Sequence, residues 1–454
     1  MKRLLEIGAA RIDRRGFLKG GTAAVALAAT GNRAWAAAQL SVWTPGGSPS
    51  FCEVQTKIVQ DFIAKAGGGE GAVQCGMGAA SEFAQALLAA ITGGNPPDVA
   101  LLWDSPIALG SQGAFVALDD YMVKGSVINA ENWPGALLAS CQFKGKTFGL
   151  PVAAGTYSML YNQDLFEAKG IPGDRGSFPK TWDDLRRLSK EFTRWDGDRL
   201  AIAGFMPPRE AESMPIWSAL NGSQIYDGNT LRYTFNSPEN IAMFEYFVDW
   251  LNEEYKGDIN AVDRSGQFRS IYPSSDGLPP AFQEGRQAGL ESGSWAQGDL
   301  YATEPTLQKW NVAPYPVGPS GAKAVSGVWP NWFAVPKGAR DLDAAVGYLE
   351  YLSQYGVVEW YRRNPDLPAN LKAADVVPDI VVEKRGEDFA KDATAFFKAQ
   401  RDITIPMWNS PVQGFGQDQL TRAIEKIYLK SASVKDALDE AQRLSQAELE
   451  KTIR

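Results

Sequence analysis

An α/β fold with more than one domain is the prediction, and three observations carry it. Short apolar strands alternate with helices through the first part of the chain, the pattern of a sheet covered on both faces. The chain has 454 residues, more than one hydrophobic core usually serves. Its composition, 44% hydrophobic and 22% charged, is that of a globular protein with ample apolar material.

Residues 1–36 read as an export leader rather than as part of that fold. Lys2, Arg3 and Arg11 precede Asp13-Arg14-Arg15-Gly16-Phe17-Leu18-Lys19, which resembles a twin-arginine export motif. An Ala-rich run, Gly20 to Thr30, follows, and Ala34-Trp35-Ala36 offers a small-x-small cleavage site. The run is too short and too rich in Gly and Ala to span a bilayer. No Cys lies near the cleavage region, which argues against a lipoprotein. The expected destination is the periplasm. Removing the leader takes seven basic and two acidic residues from the 45 and 53 of the whole chain, so the net charge moves from −8 to −13. An acidic, evenly mixed surface argues against nucleic acid or anionic membranes as partners. The absence of histidine excludes His-dependent catalysis and His-ligated metal. Cys52, Cys75 and Cys141 fit no zinc spacing; one disulfide is possible, and core cysteines are the favoured reading. No cofactor or metal is expected.

The elements follow in order. Gln39 to Trp43 is a strand stopped by Thr44-Pro45-Gly46-Gly47. A helix spans about 52–66, with Val54, Ile58, Phe62 and Ile63 near one face. A strand around Val73 leads to a helix over about 81–91 with Ser81 as its N-cap. Asp98 to Trp103 reads as a buried strand. Thr147 to Val152 and Tyr157 to Tyr161 read as two strands, and a helix starts at Asn162. Thr181 caps the next, with Asp184 three residues on. Ser237-Pro238 starts another, whose Phe244, Phe247 and Leu251 form a core stripe. Ser265 to Pro280 is a loop. Phe282 to Arg286 reads as a short helical start before an apolar run and Gly293-Ser294-Trp295. Trp329 to Trp332 reads as a short turn fixed by Pro330. Helices begin near Asp341 and Phe389, and a capped helix from Ser433 closes the chain.

Four stretches together resemble one family. They are Phe148-Gly149-Leu150-Pro151-Val152 with Leu160-Tyr161-Asn162-Gln163-Asp164-Leu165-Phe166; Pro179-Lys180-Thr181-Trp182-Asp183-Asp184-Leu185; Phe282 to Gly289 with Gly293-Ser294-Trp295; and Phe333-Ala334-Val335-Pro336-Lys337-Gly338. In this order, behind an export leader, they resemble the extracytoplasmic solute-binding proteins of ATP-binding-cassette sugar importers, the maltose-binding-protein-like group. The resemblance implies a two-lobed, type II-like periplasmic binding protein fold. Residues 39–152 plus 311–363 would form the N-terminal lobe and 153–310 plus 364–454 the C-terminal lobe. A ligand would sit in the cleft between them, and closure would follow from contacts to both lobes. It also implies a monomer that binds a sugar or oligosaccharide, performs no catalysis and delivers its ligand to the importer's membrane permease.

A sugar presents C–H faces and a rim of hydroxyls, so its site needs flat apolar rings flanked by hydrogen-bonding side chains. By resemblance, Trp295 with Ser294 is the first candidate. Trp43 and Trp103 stand at strand ends, where open α/β sheets bind ligands; Asp104 is a hydroxyl acceptor or a turn cap. Trp329, Asn331 and Trp332 lie at the lobe crossing, Thr156 and Tyr157 beside it, and Trp408 in a Pro-punctuated stretch where relatives supply a ring. Trp217 is divided between site and core. Arg362 and Arg363 read as solvated helix-end charges rather than contacts to an anionic sugar. Ala153-Ala154-Gly155 stands where relatives often carry an acid. Two alternatives stay open: a polyol or glycerol phosphodiester as the solute, and a secreted glycoside hydrolase built on two carboxylates.

Overall fold

The computed structural model describes residues 38–47, 49–274, 277–301, 307, 309–321 and 323–453. The expected leader and its cleavage site lie outside the described residues. Among the described residues nine strands form one sheet. β1 (Ala38–Trp43) pairs in parallel with β2 (Gly69–Gln74) and β3 (Val99–Leu102), with helices α1 (Pro49–Lys65) and α2 (Ala80–Thr92) between them. This is the alternation the sequence predicts. Ser81 is not the cap of α2: the helix starts one residue earlier, and the Ala79 N–H donates to Glu82 at 3.1 Å instead.

Two long strands carry the chain from one half of the molecule to the other. β4 (Leu150–Asn162) is buried along its whole length. It pairs antiparallel with β5 (Gly289–Gly293), β6 (Trp310–Ala313), β7 (Ser326–Ala334) and β8 (Leu367–Pro368). β7 also pairs antiparallel with β3, and in parallel with β9 (Thr404–Ile405). The strands expected over 147–152 and 157–161 are therefore joined into one from Leu150 onward, while Thr147 belongs to a separate short hairpin with Gln142. Ala153, Ala154 and Gly155 look like a break because small residues carry no β-pattern. At Gly155 the missing side chain is instead what lets the Trp295 ring and the Trp329 carbonyl approach the strand.

The turn expected over Trp329–Trp332 is also strand, with a bulge between Asn331 and Trp332. The helical start expected over Phe282–Arg286 is a series of turns; Gly285, at φ +73°, redirects the chain there. A side chain at that φ is strained, so Gly is the residue that fits. Other helix starts are capped locally. Asn162, Thr181, Ser237, Asp341 and Ser433 each accept a hydrogen bond from the backbone N–H three residues on.

Apolar burial falls into two large clusters. One gathers Val42, Ile58 and Leu101 with Leu150, Val152, Phe333 and Trp360. The other gathers Tyr157, Trp182, Trp217, Phe247, Tyr315 and Trp408. β4 contributes to both, as a strand joining two lobes must. Cys52 and Cys75 are disulfide-bonded, tying α1 to the end of β2, and Cys141 is a buried thiol. Among the described residues no helix is long and apolar enough to cross a membrane.

Candidate functional site

A cavity of about 750 Å³ opens where the two halves face each other. Phe51, Trp103 and Asp104 line it from the first half. Glu212 and Trp295 line it from the second, and Trp329 and Asn331 from the crossing strand β7. A chamber of about 590 Å³ adjoins it inside the second half, and Glu210, Glu212, Tyr272 and Trp295 line both. The larger volume lies within the roughly 300–1,000 Å³ of ordinary small-ligand sites.

Trp295 is the ring on which the cavity is built. It follows β5 and opens the short helix Ala296–Asp299. A Cβ placed on Gly293 would meet its ring at 1.9 Å, and one on Gly155 would meet it at 2.7 Å. Two glycines on neighbouring strands thus form the bed on which the indole lies. Tyr157 packs edge-on against it, centroids 5.1 Å apart at 88°. The Tyr157 hydroxyl donates to Glu212, which sets that carboxylate at the boundary of the two cavities.

β7 sorts the residues of the crossing by strand alternation. Trp329 and Asn331 line the cavity, and the Trp329 indole N–H donates to the Trp103 carbonyl at 2.8 Å. Trp332, beyond the bulge, is buried and donates to Ser140 Oγ at 2.8 Å. Asn331 donates to Asp366 at 3.2 Å and Ser294 Oγ does so at 3.3 Å. Ser294 also accepts the Thr156 N–H at 3.2 Å, and both residues are fully buried. They brace the strand crossing rather than face the cavity. Trp408 is buried too: its N–H donates to the carbonyls of Ala211 at 3.0 Å and Glu212 at 3.1 Å, holding the loop that presents Glu212. Trp43 is half-buried beside Phe83 and Leu87 and is not on the cavity wall. Trp217 lines the adjoining chamber and donates to Glu291 at 2.7 Å. Arg362 pairs with Asp379 at 3.1 Å, as a helix-end charge.

The acids are the part that sequence reasoning missed. Glu210, Glu212, Asp299 and Asp366 join Asp104 on the cavity wall. Asp366 precedes β8, the strand that pairs with Ala153 and Ala154, so a carboxylate stands beside the segment whose sequence has none. Burial, with the charge of Asp299 adding to it, pushes Asp366 up to about 7. Burial likewise raises Asp104 and Asp299. Glu212 is raised by loss of bulk water within the cleft, against the opposing hydrogen bond from Tyr157. Burial pushes Glu291, in the adjoining chamber, up to about 7 despite donors in Ser213 and Trp217. The one sequence signal for such acids is a Pro-flanked carboxylate outside a helix start, as in Asn364-Pro365-Asp366-Leu367-Pro368.

Comparison with known proteins places this geometry. The model of a family described as bacterial extracellular solute-binding proteins matches residues 57–397. A protein of Brucella abortus (strain 2308), provisionally named a binding protein, is 25% identical over 351 residues, 75% of this chain and 76% of its own. The maltodextrin-binding protein MdxE of Bacillus subtilis (strain 168) is 22% identical over 330 residues, 70% of this chain and 69% of its own. Among solved structures, CpMnBP1 with mannotriose bound superposes with a TM-score of 0.73 at 20% identity, covering 90% of this chain and 99% of that one. The maltose/maltodextrin-binding domain MalE of Bdellovibrio bacteriovorus, bound to maltotriose, gives 0.68 at 17%, covering 91% and 100%. Similarity at these identities shows a shared two-lobed fold.

Proposed function

This chain belongs to the bacterial extracellular solute-binding proteins, and we propose that its solute is a carbohydrate, held between the lobes and delivered to the membrane permease of an ATP-binding-cassette importer. The observation that carries the reading is the wall of the cavity. Half-buried indoles of Trp103, Trp295 and Trp329 offer flat apolar faces, while Asp104, Glu212 and Asn331 offer acceptors and an amide at their edges. Flat rings meet the C–H faces of a pyranose, and the polar groups meet its hydroxyls. Relatives bound to mannotriose and maltotriose support the choice of substrate class. The charged leader supports export to the periplasm by the twin-arginine route. The chain acts as a binding protein without turnover.

A thermal-shift screen of mono- and oligosaccharides tests the reading. A ligand that binds only the folded state at a hundred times its Kd adds about 2.7 kcal/mol of stability, so a cognate sugar raises the unfolding midpoint by several degrees. A panel in which no carbohydrate stabilises the protein, while another solute does, refutes it. Trp295→Ala is expected to weaken the best ligand by roughly 1–3 kcal/mol through lost ring contact. The same titration on a variant with unchanged circular dichroism checks this, and an unchanged affinity removes Trp295 from the contact surface.

A further inference from the structure

The acidic side chains on the cavity wall have no basic counterpart there. Asp104, Glu210, Glu212, Asp299 and Asp366 line it, and no Lys or Arg does so among the described lining residues. They arrive from four separate places: the turn after β3, the loop before the Met214–Leu220 helix, the short helix after Trp295, and the segment before β8. The hydrogen-bond partners of four of them are neutral. Gln413 donates to Asp104 at 3.5 Å, Tyr157 to Glu212, Tyr272 to Asp299 at 2.6 Å, and Ser294 and Asn331 to Asp366. The two arginines on the adjoining chamber, Arg209 and Arg269, both pair with Asp263, at 2.8 and 3.3 Å.

A neutral sugar needs acceptors, but amides and hydroxyls supply those without the repulsion that gathered charge brings. Here the carboxylates feel one another: Asp299 acts on Asp366, and Glu210 and Asp104 act on Glu212. A bound cation relieves that repulsion, and the indole faces of Trp103, Trp295 and Trp329 are themselves attractive to one. A metal ion does not fit the arrangement. Among the described residues no three carboxylates converge closely enough to ligate one. The charges are spread around a volume of about 750 Å³, the scale of an organic ligand.

We infer that the cleft selects a carbohydrate bearing a protonated amine over its neutral parent, and rejects uronates and phosphorylated sugars. The inference rests on the carbohydrate reading above and narrows it to amino sugars. An ammonium group on the ring donates to carboxylates at the rim while the ring's C–H face stays on an indole. Charge-assisted hydrogen bonds of this kind are roughly twice as strong as neutral ones. An anionic solute, the glycerol phosphodiester included, meets five acidic side chains and no Lys or Arg on this wall.

Titration calorimetry on the wild-type protein decides it. The probes are glucosamine, galactosamine and mannosamine, the β-1,4 disaccharide of glucosamine, their neutral parents, their N-acetylated forms, glucuronate and spermidine. In the series that binds most tightly, the amine is expected to bind about ten-fold more tightly than its parent. N-acetylation abolishes that margin, and glucuronate gives no heat. Asp299→Asn is expected to narrow the ratio between amine and parent. Neutral sugars binding as tightly as their amines overturn the inference and leave the carbohydrate reading standing. Spermidine binding while no sugar binds overturns both and makes a linear polyamine the solute. No binding by any amine overturns the inference outright.

Discussion

Gly293→Ala is expected to destabilise the protein by roughly 1–3 kcal/mol and to impair ligand binding, although only one methyl group is added. The new Cβ meets the Trp295 ring at 1.9 Å, and the three nearest atoms are all in that ring. Either the indole leaves the cavity wall or β5 shifts away from β4. The cost therefore belongs to the pair and not to the glycine alone. In a Trp295→Ala background the same Gly293→Ala substitution is expected to cost much less, because the obstructing ring is gone. Urea denaturation of the four proteins measures the coupling. Additive costs would show that the glycine is needed for its backbone and that the ring does not rest on it. Gly155→Ala is a weaker version of the same experiment. There the Trp329 carbonyl, at 3.1 Å from the added Cβ, contributes a clash that removing the indole does not relieve.

Stability is expected to fall as pH rises from about 4 to 7. Asp366 and Glu291 each titrate at about 7 in the folded chain because burial disfavours their charged forms. In the unfolded chain they release their protons near pH 4. Between these values the folded state holds more protons than the unfolded state, so deprotonating the medium favours unfolding. The contribution is complete below pH 4 and is lost as pH rises through the folded values. Each pH unit between the two titrations corresponds to about 1.4 kcal/mol, so Asp366 alone accounts for up to roughly 4 kcal/mol across the window. Asp366→Asn keeps the shape and can still accept from Ser294 or Asn331. It is expected to stabilise the ligand-free protein at pH 8 and to flatten the profile between pH 5 and 8. A profile equally steep in wild type and variant would show that Asp366 is ionised in the folded state. Surface acids such as Asp184, held below their ordinary value by Thr181 and Arg187, act at lower pH and leave this window unchanged.

What the sequence made legible is mostly local. A cap and its backbone N–H lie three residues apart, so Thr181, Ser237 and Ser433 announce their helices directly. The strand–helix alternation up to Trp103 is equally readable, since each apolar run is bounded by Gly or Pro. The crossing strand was not, because Ala153-Ala154-Gly155 carries no pattern of its own and takes its conformation from the strands on either side. The position of the Trp329–Trp332 stretch was readable as a place of interest. Which of its side chains face the cavity was not, because alternation sorts them only once the stretch is known to be strand and its bulge is located. The buried indole of Trp408 shows the same limit: its role in holding the Glu212 loop depends on carbonyls nearly two hundred residues away. The acids were the least legible. Glu212 and Asp366 are 154 positions apart in the chain, and a carboxylate in a loop looks the same whether the fold turns it to solvent or into a cleft.

The most direct test of a carbohydrate held between two lobes is a crystal structure with the tightest glycan from the thermal screen. The expected result is a pyranose whose C–H face lies on Trp295, with hydroxyl or amine contacts to Asp104 from one lobe and Glu212 from the other. A glycan bound away from this cavity, or within it without touching Trp295 and one of the two lobes, would contradict the account.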